Sequence, residues 1–130
     1  MSDVDLSTLE TELLSESSRV ALSDYIIEVA WSPDAAKLGA VTVEGSVFLI
    51  DYHDNSARFN LIGQHAGGAN SLSWCPDGTE FATAGHDGLV KCWAAESGQL
   101  LCSLRAGDSW VSKAIYNPRR NLLATAAGKH

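Results

Sequence analysis

Long apolar runs and export signals are missing from this sequence, and their absence excludes two classes of protein. No stretch stays apolar for long enough to cross a bilayer, and no Lys- or Arg-led apolar segment marks the chain for secretion. The composition, 45% hydrophobic and 19% charged, is that of a globular protein. We therefore expect a soluble, cytoplasmic protein with no membrane partner.

Basic residues are few, because nine Lys and Arg face sixteen Asp and Glu and leave a net charge of −7. Nucleic-acid binding depends on Lys and Arg clustered against phosphates. Here only Arg119 and Arg120 are adjacent, and a solvated turn accounts for that pair. The sequence predicts no nucleic-acid partner.

Cysteine is scarce and unpaired in its spacing. Cys75, Cys92 and Cys102 are odd in number and form no CxxC motif. In a chain without an export signal this favours reduced thiols in strands over a disulfide framework. Adding His65 and His86 makes a zinc cluster imaginable, but the paired ligand spacing of structural zinc sites is lacking. We predict no metal and no cofactor.

Catalytic signatures are absent as well. The sequence has no GxSxG nucleophile elbow and neither of the glycine-rich phosphate motifs GxxxxGK[ST] and GxGxxG. His86 and Asp87 are neighbours, but adjacent residues of an extended strand point to opposite faces. The acidic residues concentrate in the N-terminal segment or in turns. We predict no catalytic residues and no enzyme activity.

What the sequence does contain is a strand pattern, clearest in the middle of the chain. Ser71 to Trp74 alternate polar and apolar side chains, and Pro76-Asp77-Gly78 then forms a tight turn. Phe81 to Ala84 and Leu89 to Trp93 are two further extended segments. Asp87-Gly88 between them is a strong hairpin signal. The pattern predicts three antiparallel strands.

The same pattern occurs three times. Trp31-Ser32-Pro33-Asp34 precedes Trp74-Cys75-Pro76-Asp77 by 43 residues, and Tyr116-Asn117-Pro118 begins a third copy. This period lies within the ~40–45 residues of four-stranded propeller blades. We divide the chain into an acidic N-terminal tail that could be a short helix, a degenerate repeat, a complete repeat and a partial repeat, at residues 1–19, 20–62, 63–104 and 105–130.

On these residues, from Val20 to His130, the chain resembles part of a WD40 β-propeller. The resemblance implies an all-β fold, an incomplete propeller built from antiparallel four-stranded blades. In that family a hydrogen-bonded tetrad of His, Ser or Thr, Asp and Trp locks each blade. The matching residues of the complete repeat are His65, Thr83, Asp87 and Trp93, whereas the first repeat has Leu22, Ala40, Glu44 and Ile50 at those places.

The resemblance also implies a function. The channel rim of WD40 propellers, on the face with the loops between blades, commonly docks peptides and proteins. The matching positions are Tyr25, Ile27, Val43, Asn70, His86, Trp110 and Ser112. Tyr25 and Trp110 suit interface hot spots because aromatic side chains bury a large rigid area, although Trp110 could instead pack under a neighbouring blade.

We therefore expect a non-catalytic scaffold or a recognition surface for a protein or peptide. One alternative is a truncated fragment of a longer WD40 propeller with no activity of its own. Another is a regulatory module of a larger multidomain protein.

Three repeats cannot close a ring, because propellers have ~4–8 blades. The flanks of both terminal blades would stay uncovered, and so would the edge of the last predicted strand, Leu122 to Ala126. We expect the isolated chain to self-associate.

Overall fold

A computed structural model describes residues 25–53, 56–108 and 110–127, and these ranges form ten β-strands without a helix. The possible helix of the tail, residues 1–19, lies outside the described residues. In chain order the strands are β1 (Ile26–Trp31), β2 (Lys37–Thr42), β3 (Ser46–His53), β4 (Ser56–Gln64), β5 (Ala69–Trp74), β6 (Glu80–Gly85), β7 (Leu89–Ala94), β8 (Leu100–Arg105), β9 (Val111–Tyr116) and β10 (Leu123–Ala127).

The strands form three antiparallel sheets in which neighbours in sequence are neighbours in space. Blade one has the order β1-β2-β3-β4 and blade two the order β5-β6-β7-β8, while blade three consists of β9 and β10 in the described residues. The predicted fold class, an incomplete arrangement of antiparallel four-stranded blades, is confirmed.

The strand ends differ from the prediction in two places. The polar residues from Tyr52 to Ala57 predict a loop, but β3 continues to His53 and β4 begins at Ser56, with Tyr52 opposite Ala57. Tyr52 packs edge-on against Trp31, with ring centroids 6.4 Å apart, and Ala57 is buried in the core of blade one. These contacts extend the hairpin beyond its apolar centre. In blade three the second strand lies one residue later than predicted, at Leu123–Ala127.

The tight turns of the central hairpins lie at the same end of blades one and two. Gly45 turns β2 into β3 with a φ of 99°, and Gly88 turns β6 into β7 with a φ of 79°, a backbone region that favours glycine. The starts of β1, β5 and β9 lie at this same end, which we call the hairpin end. The amide of His65 donates to the carbonyl of Gly45 at 2.7 Å and so holds the entry to blade two beside the hairpin of blade one.

Apolar side chains fill the spaces between blades. Between blades one and two, Val41, Val47 and Leu49 contact Leu72, Phe81 and Trp93. Between blades two and three, Val90 and Cys92 contact Val111 and Ala114, among others. Burial of such surface contributes roughly 25 cal/mol per Å², so each blade is stabilised by its neighbours.

The two outer flanks, the faces of blade one and of blade three that point away from blade two, differ in how exposed their side chains are. Leu38, Ala40, Phe48 and Ile50 alternate with the residues that face blade two, so they lie on the opposite face of blade one. They are nonetheless buried, with Leu38 and Ile50 each 2% exposed. On blade three, Ile115 is 51% exposed. The expectation of two uncovered flanks is therefore wrong for blade one, and the exposed flank is that of blade three.

Candidate functional site

His65, Thr83, Asp87 and Trp93 form one hydrogen-bonded chain in blade two. The Nδ1 atom of His65 lies 3.0 Å from the Asp87 carboxylate, which can only accept, so the imidazole proton is on Nδ1. Nε2 then accepts from the Thr83 hydroxyl at 2.7 Å, and that hydroxyl accepts from the Trp93 indole N–H at 2.9 Å. Asp87 also accepts from the amides of Ala66 and Leu89. Each buried polar group of these four side chains has a hydrogen-bond partner.

The tetrad of His65, Thr83, Asp87 and Trp93 includes the residue types of a hydrolase triad, but its hydroxyl is not accessible to a substrate. His65 and Thr83 are completely buried. The Thr83 oxygen, which would be the nucleophile, already accepts from Trp93. A substrate carbonyl therefore cannot approach it, and the arrangement joins β6, β7 and the entry to β5 instead.

Burial and hydrogen bonding determine the protonation states of His65 and Asp87. Desolvation of the imidazole lowers the pKa of His65 and outweighs the opposing effect of Asp87, so His65 is neutral at pH 7. Burial alone would raise the pKa of Asp87, but the hydrogen bond and charge of His65, together with the Leu89 and Ala66 amides, lower it overall. Both shifts favour the hydrogen-bonded form seen here.

Stability should consequently fall on mild acidification. Because the folded pKa of His65 is below its unfolded value of about 6.5, the unfolded chain binds the proton more readily, and the contribution is lost as the pH falls below that value. We expect a lower free energy of unfolding, measured in urea, at pH 5.5 than at pH 7.5. The loss is at most about 1.4 kcal/mol, because pH 5.5 lies only about one unit below the unfolded pKa. His86→Gln should retain this difference, whereas His65→Gln should lose it. An equal difference in both variants would contradict the assignment.

The described residues of blade one do not form an equivalent hydrogen-bonded tetrad. Ala40 and Ile50 stand at the hydroxyl and Trp positions, and both are buried in the core of that blade. The position matching His65 is Leu22, which lies outside the described residues. Apolar packing replaces the hydrogen bonds in blade one.

The residues predicted to bind a partner all lie at the hairpin end. Several of them expose a large apolar surface: Tyr25 is 80% exposed, Val43 46% and Trp110 41%. Ile27 is similarly exposed, and the polar members His86 and Ser112 are exposed as well. These side chains are available to a partner.

Four of them line one open pocket between blades two and three. Asn70, His86, Trp110 and Ser112 surround a volume of about 290 Å³. His86 Nε2 donates to Asn70 Oδ1 at 2.9 Å, and Asn70 Nδ2 donates to the Val111 carbonyl at 2.8 Å. The His86 and Trp110 rings are 5.3 Å apart. Trp110 therefore packs against His86 while keeping part of its ring accessible.

The other three residues continue this surface over blade one. The Val43 amide donates to the Tyr25 carbonyl at 2.8 Å. Gly68 lies between Val43 and His86, since a Cβ there would be 2.8 Å from the Val43 carbonyl and 3.5 Å from the His86 ring. We call the seven residues the hairpin-end face. It crosses all three blades without interruption by a bulky side chain at residue 68.

Other kinds of site have less support in the structure. No group of three or more His, Cys, Asp and Glu residues is placed to hold a metal ion in the described ranges. Those ranges also include no helix suited to crossing a membrane. A larger pocket of about 490 Å³ lies at the opposite end of blade one, where Lys37 and Asp51 pair with each other at 3.5 Å.

Contacts between the innermost strands were not anticipated from the sequence. Glu28 accepts from the Leu72 amide at 2.9 Å, and the Ser71 hydroxyl accepts from the Ala114 amide at 3.0 Å. Both side chains stand three residues before the aromatic residue that ends their strand. A polar residue recurring three places before the strand-ending Trp in β1 and β5 is the signal that could have revealed them.

Comparison with known proteins agrees with this architecture. Residues 54–94 match the family model of the WD domain, G-beta repeat. The protein transport protein sec31 of Schizosaccharomyces pombe is 28% identical over 117 residues, which cover 84% of this chain and 10% of that protein. Its counterpart in Aspergillus clavatus is 30% identical over 130 residues, covering 95% and 10%. The chain spans about a tenth of the length of these relatives.

A solved structure gives the same fold. The crystal structure of RRP9 WD40 repeats superposes with a TM-score of 0.72 at 15% identity, covering 82% of this chain and 33% of that one. The repeat period, the antiparallel blades and the family match thus lead to one assignment. This chain belongs to the WD40-repeat β-propeller family.

Proposed function

We propose that this chain is a non-catalytic recognition module that binds a protein or peptide partner, in the cytoplasm, through its hairpin-end face. The observation that carries the proposal is the pocket formed by Asn70, His86, Trp110 and Ser112, four residues from two different blades. A partner placed there would contact blades two and three at once. WD40 propellers generally act as protein-interaction scaffolds.

The chemistry of the face suits a peptide. Tyr25 and Trp110 offer rigid aromatic surface, which dominates interface hot spots. The amide of Asn70 and the imidazole of His86 hold each other in place, so their orientation is fixed before a partner arrives. Such preorganisation lowers the entropic cost of binding.

The same contacts do not favour catalysis at this face. The Ser112 hydroxyl donates to the Ala126 carbonyl at 2.9 Å, and the His86 Nε2 proton is directed at Asn70. Among the residues that the structure describes, no base is therefore aligned with the Ser112 hydroxyl, as activation of a nucleophile requires. The names of the sec31 relatives refer to protein transport, which is consistent with a role among proteins rather than small substrates.

The proposal can be tested with peptides selected on the whole chain. A peptide library is panned against the 130-residue protein, and the dissociation constants of the selected peptides are measured. The double variant His86→Ala/Trp110→Ala should weaken binding at least tenfold, because loss of a hot-spot residue costs more than about 1.4 kcal/mol.

The matched control removes two exposed aromatic residues from the other end of blade one. Trp31 and Tyr52 pack against each other there, and the variant Trp31→Ala/Tyr52→Ala should change the dissociation constants less than twofold. Circular dichroism checks that both variants fold. If the control weakens binding as much as the face variant, the hairpin-end face is not the binding site.

A further inference from the structure

The sheet of blade two brings together two cysteines that lie ten residues apart in the sequence. Cys92 is on β7 and Cys102 on β8, and the register of these strands places the two residues directly opposite each other. Directly opposite residues of an antiparallel pair have their side chains on the same face, with Cβ atoms about 4.5–5.5 Å apart. The thiols are therefore neighbours in the fold, although the sequence has no CxxC motif.

The backbone separation at this pair suits a disulfide bond. Near the start of the same two strands, the Ala106 amide donates to the Gly88 carbonyl at 2.9 Å. Hydrogen-bonded pairs alternate along an antiparallel ladder, so Cys92 and Cys102, four residues further along each strand, also form such a pair, with Cα atoms about 5.5 Å apart. Disulfides usually join cysteines whose Cα atoms are about 4.4–6.8 Å apart.

The two thiols differ in how readily they meet an oxidant. Cys92 is 6% exposed, whereas Cys102 is exposed. Burial, and after it the neighbouring Cys102 side chain, raise the pKa of the Cys92 thiol to about 12. Because the thiolate is the reactive form of cysteine, Cys92 does not react with an oxidant from solution. Cys102 is the residue that reacts first.

We propose that Cys92 and Cys102 form a reversible disulfide when the chain meets a small disulfide such as glutathione disulfide. The Cys102 thiolate attacks one sulfur of that molecule and displaces a glutathione thiolate, which takes up the proton that Cys102 lost. The Cys92 sulfur then attacks the Cys102 sulfur and displaces the second glutathione, to which its proton passes. Two protein thiols are oxidised to one disulfide, and one glutathione disulfide is reduced to two thiols.

The third cysteine does not take part. Cys75 follows β5, is 1% exposed and donates to Asn121 Oδ1 at 3.2 Å. Because β6 lies between β5 and β7, Cys75 and Cys92 are at least two strand spacings apart, about 9 Å. This separation exceeds the Cα distance that a disulfide allows.

The bond would change the contacts between blades two and three. The Sγ atom of Cys92 lies 3.9 Å from the Tyr116 hydroxyl of β9, and Cys92 packs with Val111 and Ala114. In the described residues β8 pairs only with β7. Oxidation would therefore bind β8 covalently to β7 and turn the Cys92 sulfur from Tyr116 towards β8. Both cysteines belong to a blade with four described strands, and the inference does not rest on the proposed function.

The test uses the full chain with glutathione disulfide as the probe. After incubation the reaction is quenched with acid, free thiols are blocked with N-ethylmaleimide in urea, and tryptic peptides are measured by mass spectrometry. Cleavage after Lys91 and Arg105 releases residues 92–105, which contain Cys92 and Cys102 and no other cysteine. We expect this peptide to lack two hydrogen atoms and to carry neither glutathione nor N-ethylmaleimide, whereas Cys75 is blocked. Dithiothreitol should restore both thiols.

A displaced thiol separates the effect of strand register from closeness in the sequence. Cys102→Ser/Ser103→Cys moves the thiol by one residue to the other face of β8, because neighbouring residues of a strand point to opposite faces. This variant should retain at least tenfold more glutathione adduct than the wild-type chain, because Cys92 cannot reach the adduct. The control Cys75→Ser should match the wild type within twofold, and circular dichroism checks that both variants fold.

Three results would overturn the proposal. The first is an equal yield of disulfide in the displaced variant and the wild type. The second is a wild-type chain that keeps glutathione on Cys102. The third is a disulfide that includes Cys75 or joins two copies of the chain.

Discussion

Replacing Trp93 with alanine is expected to lower the free energy of unfolding by about 3–5 kcal/mol. The Trp93 side chain is 3% exposed and packs between blades one and two. Its six-membered ring lies so close to Gly63 of β4 that a Cβ at Gly63 would overlap it. Removal of the indole would leave a cavity shared by two blades and would take from Thr83 the donor at 2.9 Å. Urea denaturation followed by circular dichroism measures the loss.

Two further variants separate the causes of that loss. Trp93→Phe keeps most of the apolar contact but removes the N–H donor, and we expect it to cost about 1–3 kcal/mol because Thr83 loses one partner. Trp110→Ala, at a side chain 41% exposed, should cost less than about 1 kcal/mol. A loss below about 0.5 kcal/mol for Trp93→Ala would mean that the ring is not buried and that the strand register is wrong.

The centre of each strand could be predicted from the sequence because local chemistry determines it. Asp87-Gly88 requires a tight hairpin, and the alternation from Ser71 to Trp74 requires one face towards the core. Such signals act within a few residues. The ends of β3 and β4 could not be predicted in this way, because Tyr52 and Ala57 belong to the hairpin through contacts with Trp31 and the core of blade one.

The candidate site shows the same division. The family pattern gave the positions of Asn70 and His86, and the structure brings their side chains to 2.9 Å. That Asn70 also donates to Val111 depends on how blade three stacks on blade two, which no local pattern specifies. The contact between Glu28 and Leu72 was missed for the same reason, since it joins residues 44 positions apart.

The 130-residue chain is expected to self-associate through the free edge of β10. Within the described residues, β10 pairs only with β9. Leu122 accepts from the Asn117 amide, so these two residues form a hydrogen-bonded pair, and such pairs alternate along an antiparallel ladder. Leu123 and Thr125 therefore direct their amides to the free edge. An open edge of this kind templates pairing with another chain. Sedimentation equilibrium at micromolar concentration should give a mass at least twice that of one chain.

A proline at one position tests this route specifically. Thr125→Pro removes an amide that faces the free edge and leaves the ladder with β9 intact, which is the place where a strand tolerates proline. We expect this variant to sediment as a monomer at concentrations where the wild-type chain does not. Thr125→Val retains the amide and should associate like the wild type. Because the apolar residues on the outer face of blade one are buried, that face offers little surface to a second copy, whereas the edge of β10 is open. A wild-type chain that remains monomeric with a cooperative melt would contradict this route, and so would a Thr125→Pro chain that associates as strongly as Thr125→Val.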